Sequence, residues 1–211
     1  MEELRVKYKT DLSYDNSAFD YNEDGSLKQN EINHICDGAY PFDKIGHVGG
    51  DKPKQLIEMY ENLMNKKKDE FINFLEIGVF RGQSLAVWSD YFKNGLIYGI
   101  DGNTKPYHKF KSTLENLGAF KNNNVSVFED DATKEKSAEY FLKENIKFDY
   151  IIDDGCHATG CIMKTFEIYF KLLKREGIIF VEDNGEAVIK LREKYPHIKN
   201  EGHAFFRPLN I

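Results

Sequence analysis

The sequence lacks the features that membrane, disulfide-rich and nucleic-acid-binding proteins need. No apolar run approaches the roughly 20 residues of a membrane-spanning helix, and the first residues, MEELRVKYKTD, show no apolar segment typical of a secretion signal. The three cysteines, Cys36, Cys156 and Cys161, have neither a CxxC nor a zinc-site spacing, so we expect reduced thiols and no structural zinc. The net charge is -6 and the basic residues are scattered, which argues against a nucleic-acid partner. We therefore expect a cytoplasmic protein without a membrane span.

The 211 residues suffice for one substantial domain and an appendage. Residues 1–50 are polar and lack sustained periodicity, so we expect an irregular N-terminal arm or cap, with a catalytic domain over residues 51–211. In that domain an amphipathic helix, whose apolar face includes Tyr60, precedes strictly alternating strands and helices. Strands are predicted at 71–77, 96–100, 125–128, 150–153 and 178–181, and helices at 84–92, 107–117, 134–144, 161–173 and 187–194. This alternation predicts a doubly wound, mostly parallel sheet with helices on both faces.

One segment of the arm matches the calcium-loop pattern D-x-[DN]-x-[DN]-G-x5-E. If it binds Ca²⁺, the ligands are Asp20, Asn22, Asp24 and Glu31. Flanking helices and a partner loop are not evident, and a solvated loop rich in Asx turns is the alternative interpretation.

Three successive predicted strands end in glycines or acids. The first is followed by Glu76, Gly78, Gly82 and Ser84 in the segment EIGVFRGQS, which leads into a helix whose first amide groups can face a ligand. The second ends at Asp101, where related nucleotide-binding folds place an acid against a ribose, and the third is followed by Glu129-Asp130-Asp131. Together these strand ends indicate an adenosine-type ligand, although the spacing differs from the dinucleotide fingerprint G-x-G-x-x-G.

The segment FDYIIDDGCH, residues 148–157, is a predicted buried strand that ends in acids and a histidine. A second acidic strand end follows at Glu182 and Asp183. Because the carboxyl ends of parallel strands form the ligand-binding edge of such sheets, these side chains are candidates for chemistry. Alternation along the strand directs Asp153 and Asp154 to opposite sides, and we favour Asp154 as a metal ligand. Cys156 is interpreted as a small neighbour of the site.

With these motifs the chain resembles class I S-adenosylmethionine-dependent methyltransferases over residues 45–190. More narrowly, DDGCH and VEDN resemble the DDGSH and VED motifs of the metal-dependent sugar O-methyltransferases of macrolide biosynthesis and the cephalosporin-hydroxylase-like group. Two departures are Cys156 in place of Ser, and Asp130 in place of Gly before the acid on the adenine side. The second leaves Asp130 and Asp131 as competing candidates for that role.

The resemblance implies roles for individual residues. S-Adenosylmethionine would be bound by Glu76, Gly78, Gly82, Ser84, Asp101 and Asp131. Mg²⁺ would be bound by Asp154, Glu182 and Asp183, with His157 as the general base beside Asp154. The implied reaction is methylation of a hydroxyl group on a sugar, glycoside or surface-polysaccharide precursor.

Several alternatives stay open at this point. The acceptor of an O-methyltransferase can also be a phosphorylated or phosphoramidate-bearing metabolite or a catechol-like diol. A nucleotide-dependent oxidoreductase and a calcium-binding interaction module are alternatives of other classes. This fold usually adds a helix and two strands after the fifth strand, and residues 204–211 leave little chain for them, so a homodimer that completes the sheet edge is a further expectation.

Overall fold

The computed structural model describes residues 1–8, 54–122, 124–196, 198–200 and 205–208. Most of the predicted arm, including the 20–31 calcium-type loop, lies outside these residues. In the part of the chain that the structure describes, no helix is both long and apolar enough to cross a membrane.

Seven strands form one sheet in the spatial order β3-β2-β1-β4-β5-β7-β6. The first five pair in parallel, while β7 is antiparallel to both of its neighbours. The strands are β1 (Asn73–Ile77), β2 (Leu96–Asp101), β3 (Val125–Glu129), β4 (Phe148–Asp153), β5 (Leu173–Val181), β6 (Lys199–Asn200) and β7 (Phe205–Arg207).

Helices cover both faces of the sheet, as the alternation of strands and helices predicts. The helices are α1 (Glu2–Tyr8), α2 (Lys54–Met64), α3 (Gln83–Tyr91), α4 (Lys105–Asn116), α5 (Glu139–Lys143), α6 (Thr159–Tyr169) and α7 (Gly185–Lys194). One core unites residues of α1 to α4 with side chains such as Phe74 and Phe180, and the other unites residues of α5 to α7 with side chains such as Leu75 and Val181. Neighbouring strand residues thus serve opposite faces, as the period of two requires. The doubly wound, mostly parallel fold is confirmed.

Element boundaries differ from the predictions where local sequence is ambiguous. Strand β5 begins at Leu173, within a segment predicted as helix, and the predicted helix 134–144 is a short 3₁₀ turn followed by α5. The C-terminal part supplies two short strands, and Phe206, which is 1% exposed, joins the core beside Phe166 at a ring distance of 5.1 Å. Strands β6 and β7 therefore extend the sheet beyond β5 from the same chain.

The first residues are more ordered than an irregular arm implies. Helix α1 places Tyr8, only 1% exposed, against the core face of α3, and the Tyr8 hydroxyl donates a hydrogen bond of 2.6 Å to Asp90. Met1 and Leu4 pack on the same core. The apolar spacing of this helix covers barely two turns, which is too short for a periodicity signal.

Candidate active site at the carboxyl ends of the strands

Strand β4 leads into the centre of the candidate site. All six of its residues are buried because β1 and β5 flank it and helices cover both of its faces. At its carboxyl end the chain emerges, and Asp154 and His157 are partly exposed. The strand thus delivers an acid and an imidazole to the edge of the sheet from a rigid support.

Three potential metal ligands converge at this edge. One ligand atom from each of Asp154, His157 and Asp183 lies within 4.8 Å of the others, and Nε2 of His157 is 3.8 Å from Oδ1 of Asp154. Asp183 joins them because β4 and β5 are parallel neighbours that end at the same edge. Ligands that share one Mg²⁺ at about 2.1 Å lie roughly 3 to 4 Å apart, so small side-chain rotations let a divalent cation fit between these three groups.

Two of these three residues have a left-handed backbone. His157 and Asp183 both have φ = 57°. This conformation costs a non-glycine residue on the order of 1–3 kcal/mol and is retained where surrounding contacts impose it, often at functional sites. Both strand ends that sequence analysis singled out therefore contain a residue with a left-handed backbone.

Asn184 is a residue of this site that sequence analysis missed. Its Nδ2 donates to the carbonyl oxygen of His157 at 2.6 Å and to Oγ1 of Thr159 at 3.2 Å. Its Oδ1 accepts from the backbone N–H of Ala187 at 2.8 Å and so caps α7. The capping role was open to prediction, since Asn before a helix is a common N-cap, but the bond to His157 was not.

Glu182, the third acid expected to bind metal, lies apart from the three-residue cluster. It is 6% exposed, and its carboxylate accepts a hydrogen bond from the hydroxyl of Tyr60 on α2. Alternation along β5 explains this placement, because Phe180 faces the core that contains α2, Val181 faces the other core, and Glu182 faces the α2 side again. Sequence analysis identified Tyr60 only as part of an apolar helix face.

The Tyr60 hydroxyl is a permanent hydrogen-bond donor in this environment. Burial of the side chain, together with the charge of Glu182, raises the pKa of Tyr60 well above its usual value. Its ring packs edge-on against Trp88 and Phe180, with centroid distances of 5.4 Å and 5.0 Å. The structure therefore fixes the phenol on three sides and directs its proton to Glu182.

Asp153 takes the supporting position that strand alternation predicts. Its side chain is buried and accepts hydrogen bonds from the Thr165 hydroxyl and, at 3.4 Å, from the backbone N–H of Gly155. Burial raises the pKa of Asp153 to about 6, against the opposing effect of the bond from Thr165. Thr165 belongs to α6, so Asp153 faces that helix, while Asp154 faces the cluster.

The glycine loop, residues 78–82, follows β1 and lies directly against the three-residue cluster. Gly78 has φ = +89°, and a Cβ atom on it would lie 2.2 Å from the carbonyl oxygen of Asp154. Gly82 has φ = +81°, and a Cβ atom there would lie 2.6 Å from the ring of Tyr107. Any side chain at Gly78 would collide with the backbone that carries Asp154, so the two motifs are packed as one unit.

Glu76 and Ser84, both expected from the sequence to bind the cofactor, contact each other. The carboxylate of Glu76 is fully buried and accepts from the Ser84 hydroxyl at 2.8 Å and from Nε1 of Trp88 at 3.3 Å. These bonds attach the start of α3 to β1 behind the glycine loop. Trp88 is fully buried and belongs to the core that α1 to α4 share.

Asp101 stands at the end of β2 and holds the glycine loop in place. Its Oδ2 accepts from the backbone N–H groups of Val79 at 2.7 Å and Phe80 at 2.9 Å, and its Oδ1 accepts from that of Asn103 at 2.9 Å. A carboxylate offers about four acceptor positions, so these three bonds leave capacity for one ribose hydroxyl. The strand ends therefore fit the adenosine-type ligand predicted from sequence.

Asp130 and Asp131, the two candidates on the adenine side, have different surroundings. The backbone N–H of Asp130 donates to the carbonyl oxygen of Asp101 at 3.0 Å, which places Asp130 beside Asp101. Asp131 is exposed, and its Oδ1 accepts from the N–H and the hydroxyl of Thr133 at 2.9 Å and 2.6 Å. Asp131 thus forms a local turn, and Asp130 is the acid closer to Asp101.

The chain is similar to known proteins in sequence and in fold. Residues 75–184, more than half of the chain, match the family model described as "Methyltransferase domain". Among curated proteins, L-olivosyl-oleandolide 3-O-methyltransferase of Streptomyces antibioticus is 27% identical over 134 residues, covering 59% of this chain and 31% of the relative. The 8-demethyl-8-alpha-L-rhamnosyl tetracenomycin-C 2'-O-methyltransferase of Streptomyces olivaceus is 28% identical over 132 residues, covering 59% of this chain and 32% of the relative. The match spans about a third of the length of these relatives.

Solved structures confirm the fold. MycE, a methyltransferase from the mycinamycin biosynthetic pathway solved in complex with Mg and SAH, superimposes with a TM-score of 0.55 at 19% identity, covering 78% of this chain and 51% of MycE. A second MycE structure, which also contains mycinamycin VI, gives a TM-score of 0.55 over 72% of this chain and 48% of MycE. The glycine loop, the acidic strand ends and the family match over residues 75–184 lead to one conclusion: this chain belongs to the methyltransferase-domain family.

Proposed function

We propose that the protein is an S-adenosylmethionine-dependent, magnesium-assisted O-methyltransferase that acts on a hydroxyl group of a sugar, glycoside or surface-polysaccharide precursor. The observation that carries this proposal is the convergence of Asp154, His157 and Asp183 within 4.8 Å, directly beside the Gly78 loop. A site for a divalent cation and a site for an adenosine-type cofactor would then be adjacent. Methylation of a metal-chelating hydroxyl requires this arrangement, because the hydroxyl and the methyl group must meet.

Each part of the site has a separate task in this reaction. Asp154 and Asp183 would hold Mg²⁺, while Glu182, held by the Tyr60 hydroxyl, would support this pair from outside the three-residue cluster. When bound, Mg²⁺ supplies Lewis-acid activation and orientation of the acceptor hydroxyl. The Gly78 loop, Asp101 and Asp130 or Asp131 would place the cofactor so that its methyl group faces that hydroxyl.

His157 would remove the proton of the acceptor hydroxyl as the methyl group is transferred. Its Nε2 faces Asp154 within the three-residue cluster, so the imidazole lies next to the proposed metal ligands. Imidazole side chains are common general bases in enzymes. The same position would also let His157 bind the metal.

The names of the relatives support a sugar-type acceptor. The two Streptomyces proteins named above are O-methyltransferases of sugars attached to antibiotics. The match covers about a third of each relative, and we extend the sugar-type acceptor to this chain as part of the proposal. Phosphorylated, phosphoramidate-bearing and catechol-like acceptors stay as alternatives, because a chelated cation would serve each of them.

A nucleotide-dependent oxidoreductase is the alternative of another class. The family assignment favours methyl transfer over this alternative, and so does the G-x-x-x-G spacing of the loop from Gly78 to Gly82. Parallel titrations with NAD and with S-adenosylhomocysteine would discriminate between them.

Calorimetric titration with S-adenosylhomocysteine, with and without Mg²⁺, tests the proposed function. We expect saturable binding to the wild-type protein, weakened by Asp101→Asn because one acceptor oxygen of the ribose site is replaced by a donor. Glu115→Gln is the matched control, since Glu115 pairs only locally with Lys111 on α4 at 3.7 Å. Absence of S-adenosylhomocysteine binding, or equal binding by Asp101→Asn, would refute the proposal.

A further inference from the structure

The described part of the chain supplies no hydrogen bond to the ring of His157. Imidazoles that act as bases or ligands usually donate their second ring nitrogen to a carboxylate or carbonyl, and this bond sets the ring orientation. In His157 the Nδ1 atom is buried and has no partner among the described residues. Its Nε2 atom faces Asp154 at 3.8 Å, beyond hydrogen-bond distance. Among the described residues, the contact that holds His157 is made to its backbone instead.

Within the described residues, a side chain from the neighbouring turn holds the backbone of His157. Its left-handed conformation, φ = 57°, is less favourable than a right-handed one, and contacts with neighbours help to retain it. The Nδ2 group of Asn184 donates to the His157 carbonyl oxygen at 2.6 Å, across 27 positions of sequence. This short bond links the turn after β4 to the turn after β5.

The amide of Asn184 has only one orientation that satisfies all of its contacts. Its oxygen accepts from the N–H of Ala187 at the start of α7, which leaves the NH₂ group to face His157 and Thr159. The helix cap thereby aims the donor at His157. Asn184 also follows Asp183 directly, so its anchorage on α7 positions the neighbouring acid as well.

We propose that Asn184 is a positioning residue that connects the two halves of the site and fixes the His157 imidazole relative to Asp183. This proposal rests on the proposed function for its catalytic consequence, but the structural link can be tested without any reaction. Loss of the Asn184 donor removes none of the three side chains of the cluster, but it frees the turn that carries His157.

Two substitutions separate the link to His157 from the helix cap. In Asn184→Ser a single hydroxyl can cap α7 but cannot also reach the His157 carbonyl. In Asn184→Asp one carboxylate oxygen retains the cap, while the other cannot donate to a carbonyl. Thr159→Val is the matched control, because it removes the longer contact of 3.2 Å and leaves the bond to His157 intact.

Carbon–proton NMR correlation spectra of protein with ¹³C-labelled histidine test the proposal in the absence of Mg²⁺ and cofactor. The chain has six histidines, and the signal that is missing from His157→Ala identifies the Hε1 resonance of His157. We expect this resonance to shift and broaden in Asn184→Ser and Asn184→Asp and to keep its wild-type position in Thr159→Val. An unchanged His157 signal in both Asn184 variants would overturn the proposal.

Kinetics and binding complete the experiment. In both Asn184 variants we expect the methylation rate at saturating substrates to fall by about 10–100-fold, as is typical for misplaced catalytic groups, with little change in S-adenosylhomocysteine affinity. A rate decrease with an unchanged His157 resonance would also contradict the proposal, because the effect would then act through Asp183. If wild-type protein does not bind S-adenosylhomocysteine, the proposed function fails, while the NMR result still decides the link between Asn184 and His157.

Discussion

The two ends of strand β4 carry acids in very different surroundings. At the amino end, Asp149 accepts from Lys67 at 3.0 Å, from Lys174 at 2.7 Å and from the backbone N–H of Asn73 at 2.9 Å. At the carboxyl end, Asp154 meets a histidine and another acid. The amino-end charge is neutralised by the protein itself, whereas the carboxyl-end cluster gathers negative charge where a cation and a cofactor would bind. We therefore expect Asp149 at the amino end to stabilise the fold and the acids at the carboxyl end to take part in function.

Replacement of the proposed base should have the largest effect at the functional end. We expect His157→Ala to lower the methylation rate by about 10²–10⁴-fold, the usual contribution of a general base, without a change in S-adenosylhomocysteine affinity. Initial rates and calorimetry would measure the two quantities. His108→Ala is the control, since His108 is an exposed residue of α4, and equal rates for both variants would exclude His157 as the base.

Removal of an acid from the three-residue cluster should weaken Mg²⁺ binding and abolish the response of the rate to Mg²⁺. In Asp183→Ala we expect Mg²⁺ affinity to fall by more than ~100-fold, which exceeds the effect typical of outer-shell partners, and the rate to stop responding to added Mg²⁺. Asp183→Asn should behave alike, because Asn tolerates the left-handed backbone. Undiminished Mg²⁺ binding in both variants, measured by calorimetry, would contradict a metal role for this acid.

A substitution at the amino end should affect stability rather than activity. We expect Asp149→Asn to lower the free energy of unfolding by about 1–3 kcal/mol, the cost of leaving buried hydrogen-bond partners unsatisfied. The side chains of Lys67 and Lys174 are 23% and 38% exposed, so water compensates part of the loss. Urea unfolding at pH 7 measures the difference, and methylation by the folded variant should match that of the wild type.

The same substitution has a definite pH dependence. Burial acts to raise the pKa of Asp149, but the bonds from Lys174, Asn73 and Lys67 outweigh it and hold the pKa below its usual value. The stabilisation is therefore present above the unfolded pKa of about 3.9 and is lost as the pH falls through the lower folded value. The difference between wild type and Asp149→Asn should shrink at acidic pH. A difference that grows instead would contradict this assignment.

Loss of the contact between Tyr60 and Glu182 should weaken metal binding less than the loss of Asp183 does. We expect Tyr60→Phe to weaken Mg²⁺ binding by about tenfold, because Glu182 loses the donor that orients it. Tyr91→Phe is a matched control, since the buried Tyr91 hydroxyl has no partner within the described parts of the chain. Equal Mg²⁺ affinities of the two variants would show that the Tyr60 hydroxyl does not orient Glu182 for a metal.

Cys156 should contribute least, although it lies inside the motif. Its side chain is partly exposed, and it does not belong to the three-residue cluster. We expect Cys156→Ser to change the free energy of unfolding and the activation free energy of methylation by no more than ~0.5 kcal/mol each. Such small changes are typical of substitutions away from special features. A loss of activity comparable with that of His157→Ala would revise the view of Cys156 as a neighbour.

Much of the fold was predictable because its signals are local. Runs such as YIID in β4 are buried on both faces of a parallel sheet and are therefore apolar up to their acidic ends. The predicted strand ends Asp101 and Asp154 are found where the alternation of strands and helices places them. Strands β6 and β7 are only two and three residues long, and they become strands because β5 offers an edge to pair with, which no local pattern reports.

The sequence by itself determined which side chains reach the functional edge, since parallel strands present their carboxyl ends together and alternation separates Asp153 from Asp154. Tertiary structure alone decided which of these side chains meet. Glu182 contacts a tyrosine 122 positions away, and Asn184 contacts the His157 carbonyl 27 positions away. These contacts depend on how α2 and the two turns pack in space, because distance along the chain carries no information about distance across a folded sheet.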